Sequence, residues 1–300
     1  MESSKKYIGV LLAISGAIMW GIQGPISQAL FSNHSFSTEW LMSVKMLFAG
    51  ILILLFTKFV QKKKILDVWK NKKNWVVLIL YSVFGLSAVQ YLFLITVRYS
   101  NAAVATIMQS LGTVFIIILT ILIYKKAPSL QEGMGVFVAL IGTWLLVTKG
   151  DFTHLGIGFN ATFFGLLLAL AGAIQTMLPV NLLNKYTTFP IIGWAMIIGG
   201  ILFNIYHPFW MDVPELDFKS ILVVAFIVIF GTILSFICFM SSLKYITPTT
   251  AGLLGTFEPL SATLGAVLFL NISFNFFEVV GGVMVLSTVF ILAIPNKKIK

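Results

Sequence analysis

The chain has 300 residues, of which 59% are hydrophobic and only 10% charged, against about 25% charged in an ordinary soluble domain. A typical cytosolic globule is excluded. The formal charge of +10 does not point to nucleic acid, because the basic residues are gathered in short clusters between apolar runs, as in cytoplasmic loops. Cys238 is the one cysteine and lies inside an apolar run, so neither a disulfide framework nor a thiolate metal site is available.

Hydropathy predicts ten apolar helices in chain order. The first, residues 7–30, follows M-E-S-S-K-K. It lacks a clear small-residue cleavage site and reads as a retained helix rather than a signal peptide. The second covers 38–60 and leads into the basic loop Q-K-K-K-I-L-D-V-W-K-N-K-K-N. The third and fourth cover 74–97 and 101–124. A K-K-A-P turn then places Pro128 at the start of the fifth, 130–148. The sixth to eighth cover 157–182, 189–206 and 219–243, with an acidic, aromatic loop H-P-F-W-M-D-V-P-E-L-D-F before the eighth. The ninth lies within Tyr245–Leu270 and carries Glu258 directly before Pro259; the tenth covers 274–294.

Charge sets the orientation. Alternate loops on one side hold Lys5, Lys6, the lysines from Lys58 to Lys73, Lys125, Lys126, Lys185, Lys244 and the terminal Lys297, Lys298 and Lys300. The other side holds Arg98, Lys149 and Lys219 beside Glu39, Asp151, Asp212, Glu215 and Asp217. The positive-inside rule then puts both termini in the cytoplasm.

An internal repeat is visible. At one constant offset Arg98 falls on Lys244, Tyr99 on Tyr245, Ala105 on Ala251, Glu132 on Glu278 and Gly135 on Gly281. A slightly longer offset lays Gln23 on Gln175. The chain divides into five helices plus five, residues 1–149 and 150–300. An odd number per half makes the halves enter the membrane in opposite directions, the inverted-repeat plan of many secondary transporters. The expected fold is an all-α integral membrane protein of ten transmembrane helices in two inverted five-helix repeats.

These features resemble the drug/metabolite transporter superfamily, and within it the EamA-type ten-helix permeases. The resemblance rests on Trp20–Gly21 in the first helix, Lys45 in the second, the Y-x-x-x-x-x-A pattern at Tyr99 and Tyr245, and Glu258–Pro259. It covers nearly the whole chain. It implies a cell-membrane permease that moves small solutes by alternating access. The sequence departs from the family pattern at Thr113, which stands where Pro259 falls in the second repeat, and after the fourth helix, where Tyr124, Lys125 and Lys126 replace an acid.

Polar residues inside apolar helices are the candidate site. Glu258 lies about 16 Å along its helix from Thr247, near mid-membrane, where an acid is costly unless it faces protein, water or ligand. It is expected to bind a cationic group or exchange a proton; its plainer role is as a structural partner for a neighbouring helix. Lys45 lies about 10 Å into its helix and either snorkels, pairs with an acid or attracts an anionic group. Trp20, Gln23, Gln90, Tyr91, Gln109 and Gln175 are further candidates for substrate binding, each with an ordinary interhelical hydrogen bond or packing role as its alternative. Gly21, Pro25, Pro179 and Pro259 are expected to bend or break helices and free carbonyls. His34, His154 and His207 have no metal-ligand spacing, and no cofactor is expected. The sequence lacks a G-x-x-x-x-G-K-[ST] loop and any plausible catalytic triad, so it is not expected to be an enzyme or a nucleotide-driven pump. The solute's own gradient, proton coupling or exchange then drives movement, with small metabolites, amino acids or related amphiphilic solutes as cargo and export favoured over import. A channel is the less favoured alternative. Partners are the solute and membrane lipid, not nucleic acid, with the protein acting as monomer or homodimer.

Overall fold

The computed structural model describes residues 2–33, 36–99, 102–125, 128–151, 158–270 and 275–293. His34, Asn101, Lys126, His154, Ile157, Phe274 and the terminal lysines lie outside the described residues, as do the side chains of Pro25, Arg98 and Tyr124.

The described residues form helices and no strand. They are α1 Glu2–Asn33, α2 Thr38–Leu55, α3 Lys72–Leu80, α4 Ala88–Tyr99, α5 Ala102–Ser110, α6 Gly112–Tyr124, α7 Leu130–Thr148 and α8 Phe159–Met177. Then follow α9 Val180–Tyr186, α10 Thr188–Tyr206, α11 Phe218–Phe226, α12 Ser235–Ser242, α13 Pro248–Leu254, α14 Phe257–Leu270 and α15 Phe276–Ala293. Wide π-helical segments extend α2 (Phe56–Val60), join α3 to α4 (Tyr81–Ser87) and join α11 to α12 (Ile227–Leu234).

Among the described residues, seven stretches are long and apolar enough to cross a membrane: Lys5–Gly24, Thr38–Val60, Lys72–Thr96, Ala105–Ile123, Phe159–Tyr186, Thr188–Tyr206 and Phe218–Ser242. Leu130–Leu145 and Phe276–Thr288 are shorter apolar helices. The protein is a multi-pass, all-α membrane protein. The stretch expected to hold the ninth helix is divided by a turn at Gly255–Thr256, just before Pro259. Pro259 has no N–H to offer the Gly255 carbonyl, and the Glu258 N–H takes that carbonyl instead at 2.9 Å, tightening the turn. The chain also breaks at Leu111 and at Leu178–Pro179, whereas α1 continues as helix through Gly21–Pro25.

Local chemistry explains most helix ends. Ser37 Oγ accepts the Trp40 N–H, Asp217 accepts the Ser220 N–H, and Thr247 caps α13 with Pro248 in its first turn. Pro128 sits just before Ser129, which is the true cap of α7. Ser129 and Glu132 form a reciprocal capping box, and Asn275 and Glu278 form the same pair of bonds at the start of α15. Lys125 and Lys149 close α6 and α7 in left-handed conformation, their N–H groups reaching back to Ile121 and Leu145.

Packing is by close helix pairs. α2 lies along α10, and α7 along α15. α1 lies against α12 and α14, while α8 lies against α4, α5 and α6. Small residues permit this, since helices in lipid associate through backbone approach rather than through a hydrophobic drive. A Cβ on Gly142 would meet the Gly281 carbonyl at 2.9 Å. Tyr81, Leu78, Met46, Ile191 and Met196 fill the core between these pairs.

Candidate functional site

The two broken helices, α5–α6 and α13–α14, bring Gln109 and Glu258 together. Gln109 Nε2 donates to Glu258 Oε2 at 3.2 Å. Both line an open cleft. Trp20 of α1 and Phe239 of α12 form its aromatic wall, with ring centroids 4.9 Å apart. Gln175 and Thr176 of α8 form the facing wall beside Gly172, which has no neighbour within 4 Å of its Cβ direction.

Glu258 is held in place from behind. Gly21 lets α1 approach so closely that a Cβ there would land on the Glu258 carbonyl and Ser261 Oγ. That contact also fixes the adjacent Trp20, whose ring meets Phe236 edge-on at 4.8 Å. Gln175 is 7% exposed and its Oε1 has no hydrogen-bond partner among the described residues. A buried amide oxygen left unpaired is costly.

Of the candidates from sequence, Trp20, Gln109, Gln175, Glu258 and Pro259 line this cleft. Gln23, Gln90 and Tyr91 do not line it. Gln23 packs its amide against Gly231 in the wide segment before α12. Gln90 Oε1 accepts from Lys45 Nζ at 3.2 Å. Lys45 is 3% exposed, so its ammonium is buried between α2 and α4 rather than extended to the membrane edge. Tyr91 is exposed. Pro179 precedes α9 at the break after α8. Asn204 is a structural tie, since its Nδ2 donates to the Ser43 carbonyl at 3.1 Å and its Oδ1 accepts from the Phe209 N–H. Trp194 pins the basic loop, donating Nε1–H to the Ile65 carbonyl at 2.8 Å; Trp210 is exposed.

The cleft adds residues that sequence reasoning did not single out: Phe239, Thr106 and Thr256. Phenylalanine and threonine recur throughout the apolar helices, so their identity carried no signal. Among the described residues, no group of His, Cys, Asp and Glu could hold a metal ion.

The pattern of the EamA-like transporter family matches residues 7–148 and, a second time, residues 160–294. The chain belongs to this family. The inner membrane transporter YicL of Salmonella typhimurium is 33% identical over 99% of this chain and 98% of its own length. A transporter of Methanothermobacter thermautotrophicus is 22% identical over 95% of this chain and 85% of that protein. A solved crystal structure at 13% identity superposes with a TM-score of 0.78 over 95% of this chain and 96% of its own, which shows a shared fold. EamA family membership makes the protein a drug/metabolite-type secondary transporter and not an enzyme.

Proposed function

We propose that this EamA transporter moves small metabolites, amino acids or related amphiphilic solutes across the cell membrane by alternating access, with Glu258 as the coupling group for protons. The observation that carries it is the Glu258–Gln109 bond inside a cleft walled by both halves of the chain. The fold that goes with this function has ten crossings, in inverted repeats at 1–149 and 150–300, and cytoplasmic termini.

Several observations support the repeat. The family pattern matches twice. The wide segments Tyr81–Ser87 and Ile227–Leu234, and the boxes Ser129–Glu132 and Asn275–Glu278, recur at the offset that relates Arg98 to Lys244. Gly85 lies against the backbone of Gln175, and Gly231 at the same offset lies against the side chain of Gln23. The partners of α1 and α8 are likewise exchanged, α12 and α14 for one, α4, α5 and α6 for the other.

Contacts at the helix ends support the orientation. Trp194 meets the loop after α2, Asn74 bonds Tyr186, and Thr247 donates to Glu132 at 2.9 Å, which gathers the lysine-rich ends on one side. Half-buried Lys244 lies there as well; burial, with repulsion from Lys63, lowers its pKa. Trp40 and Ser43 bond the carbonyls of Phe209 and His207 on the other side, next to the acidic loop.

Purified protein in liposomes, offered labelled amino acids and nucleosides, tests the function. One solute is expected to move in step with an imposed proton gradient, and Glu258→Gln is expected to uncouple it. Flux that ignores the gradient in both proteins would leave a uniporter or exchanger, with Glu258 as a packing residue.

A further inference from the structure

Three membrane-length stretches meet at one boundary. Thr38–Val60 ends there, Thr188–Tyr206 begins there and Phe218–Ser242 ends there. Phe56 stacks on Phe189 with ring centroids 5.8 Å apart, and Ser241 Oγ donates to Thr188 Oγ1 at 2.9 Å. The start of α10 is thus flanked by the last turns of the other two. Lys63 and Lys244 stand just past those turns, one in each match to the family pattern. Neither is on a loose tail. The Lys63 N–H donates to the Thr57 carbonyl at 3.1 Å, and the Lys244 N–H to the Ser241 carbonyl at 3.2 Å. The two ammonium groups are close enough to repel, which adds to burial in lowering the pKa of Lys244. Among the described residues neither has an acid within ion-pair reach. Asp67 is taken by Lys70 at 2.7 Å, and Glu132 accepts from Ser129 and Thr247.

A bias of lysines to one side accounts for their number. It does not account for two of them, from opposite halves of the chain, being held together against their own repulsion. An anion between them relieves it. Phe56, 45% exposed, offers a bare apolar surface beside this charge. A basic pocket between helix ends, next to lipid-facing apolar side chains, matches an anionic phospholipid, which carries a phosphate and an acyl chain in one molecule. A zwitterionic headgroup brings its own ammonium into the same repulsion. We propose that Lys63 and Lys244 together hold the phosphate of an anionic phospholipid, with an acyl chain lying across Phe56 and Phe189. On the orientation proposed above this lipid belongs to the cytoplasmic leaflet, and its phosphate ties the two halves together at that end. The site needs neither Glu258 nor a particular cargo.

Thermal unfolding of the purified, full-length protein in detergent tests it, with dioleoylphosphatidylglycerol, dioleoylphosphatidylcholine or inorganic phosphate added at equal concentration. Phosphatidylglycerol is expected to raise the melting temperature by about 4 °C over the other two. Lys63→Gln/Lys244→Gln is expected to lose that shift. Lys72→Gln/Lys73→Gln, which removes as much charge from the exposed start of α3, is expected to keep it. Lys63→Glu gives Lys244 a carboxylate of the protein's own. It is expected to melt no lower than the parent without lipid and to gain nothing from phosphatidylglycerol, so its lost response cannot come from misfolding. A shift retained by either Lys63 variant, or lost equally from the α3 pair, would mean a diffuse charge effect and overturn the proposal. A shift reproduced by inorganic phosphate would make this a site for a free anion and overturn it too, as would no shift in the parent.

Discussion

At the residue scale, two glycines with similar surroundings should respond differently. Gly21 faces fixed backbone, the Glu258 carbonyl, as well as Ser261 Oγ. Gly231 faces the far end of Gln23, a flexible side chain that can move away. Gly21→Val is therefore expected to cost about 1–3 kcal/mol, seen as a lower melting temperature in detergent, while Gly231→Ala stays near the parent. Lys45 gives a second contrast. Lys45→Met removes a buried charge of similar volume and is expected to hold or raise the melting temperature. Gln90→Leu keeps the ammonium and strips its amide partner, at a cost of about 1–3 kcal/mol. The same residues mark how far sequence could go. Glu258, Gln109 and Gln175 stood out because a polar group in an apolar helix needs a reason. Gln23 stood out equally, yet its amide packs against Gly231. Both are glutamines within apolar helices, and only tertiary packing decides which of them lines the cleft.

At the element scale, hydropathy anticipated the seven membrane-length stretches found among the described residues, because lipid imposes one long apolar run per crossing. It missed the wide segments at Tyr81–Ser87 and Ile227–Leu234, since one extra residue per turn leaves composition unchanged. It also missed the break at Leu111, where no proline stands. At Pro25, α1 runs on as helix without a break. The capping boxes make a testable pair. Lys149 Nζ lies 3.3 Å from Glu278 but is 53% exposed, so Lys149→Ala is expected to cost well under about 1 kcal/mol. Glu278, at 3% exposure, also accepts the Asn275 N–H at 2.9 Å. Glu278→Ala loses that cap and is expected to cost about 1–2 kcal/mol, read from thermal unfolding of the two variants side by side.

At the scale of the whole molecule, the orientation proposed from the lysine bias and the contacts at helix ends can be tested by labelling. With Cys238 replaced by serine, Val213→Cys is expected to react with a membrane-impermeant maleimide in intact cells. Lys63→Cys is expected to react only after the membrane is opened. Labelling of both from outside would refute the cytoplasmic placement of the basic loop. The exchanged position of α1 bears on how the protein is made. Its partners α12 and α14 are encoded more than two hundred residues later. During synthesis α1 enters the bilayer early and its glycine-lined face, including Gly9, Gly16 and Gly21, waits without a mate. α8, by contrast, finds α4, α5 and α6 already inserted. A fragment ending at Asp151 would then keep α1 in the state of an orphan subunit, open to membrane quality control until the other half is supplied as a separate chain.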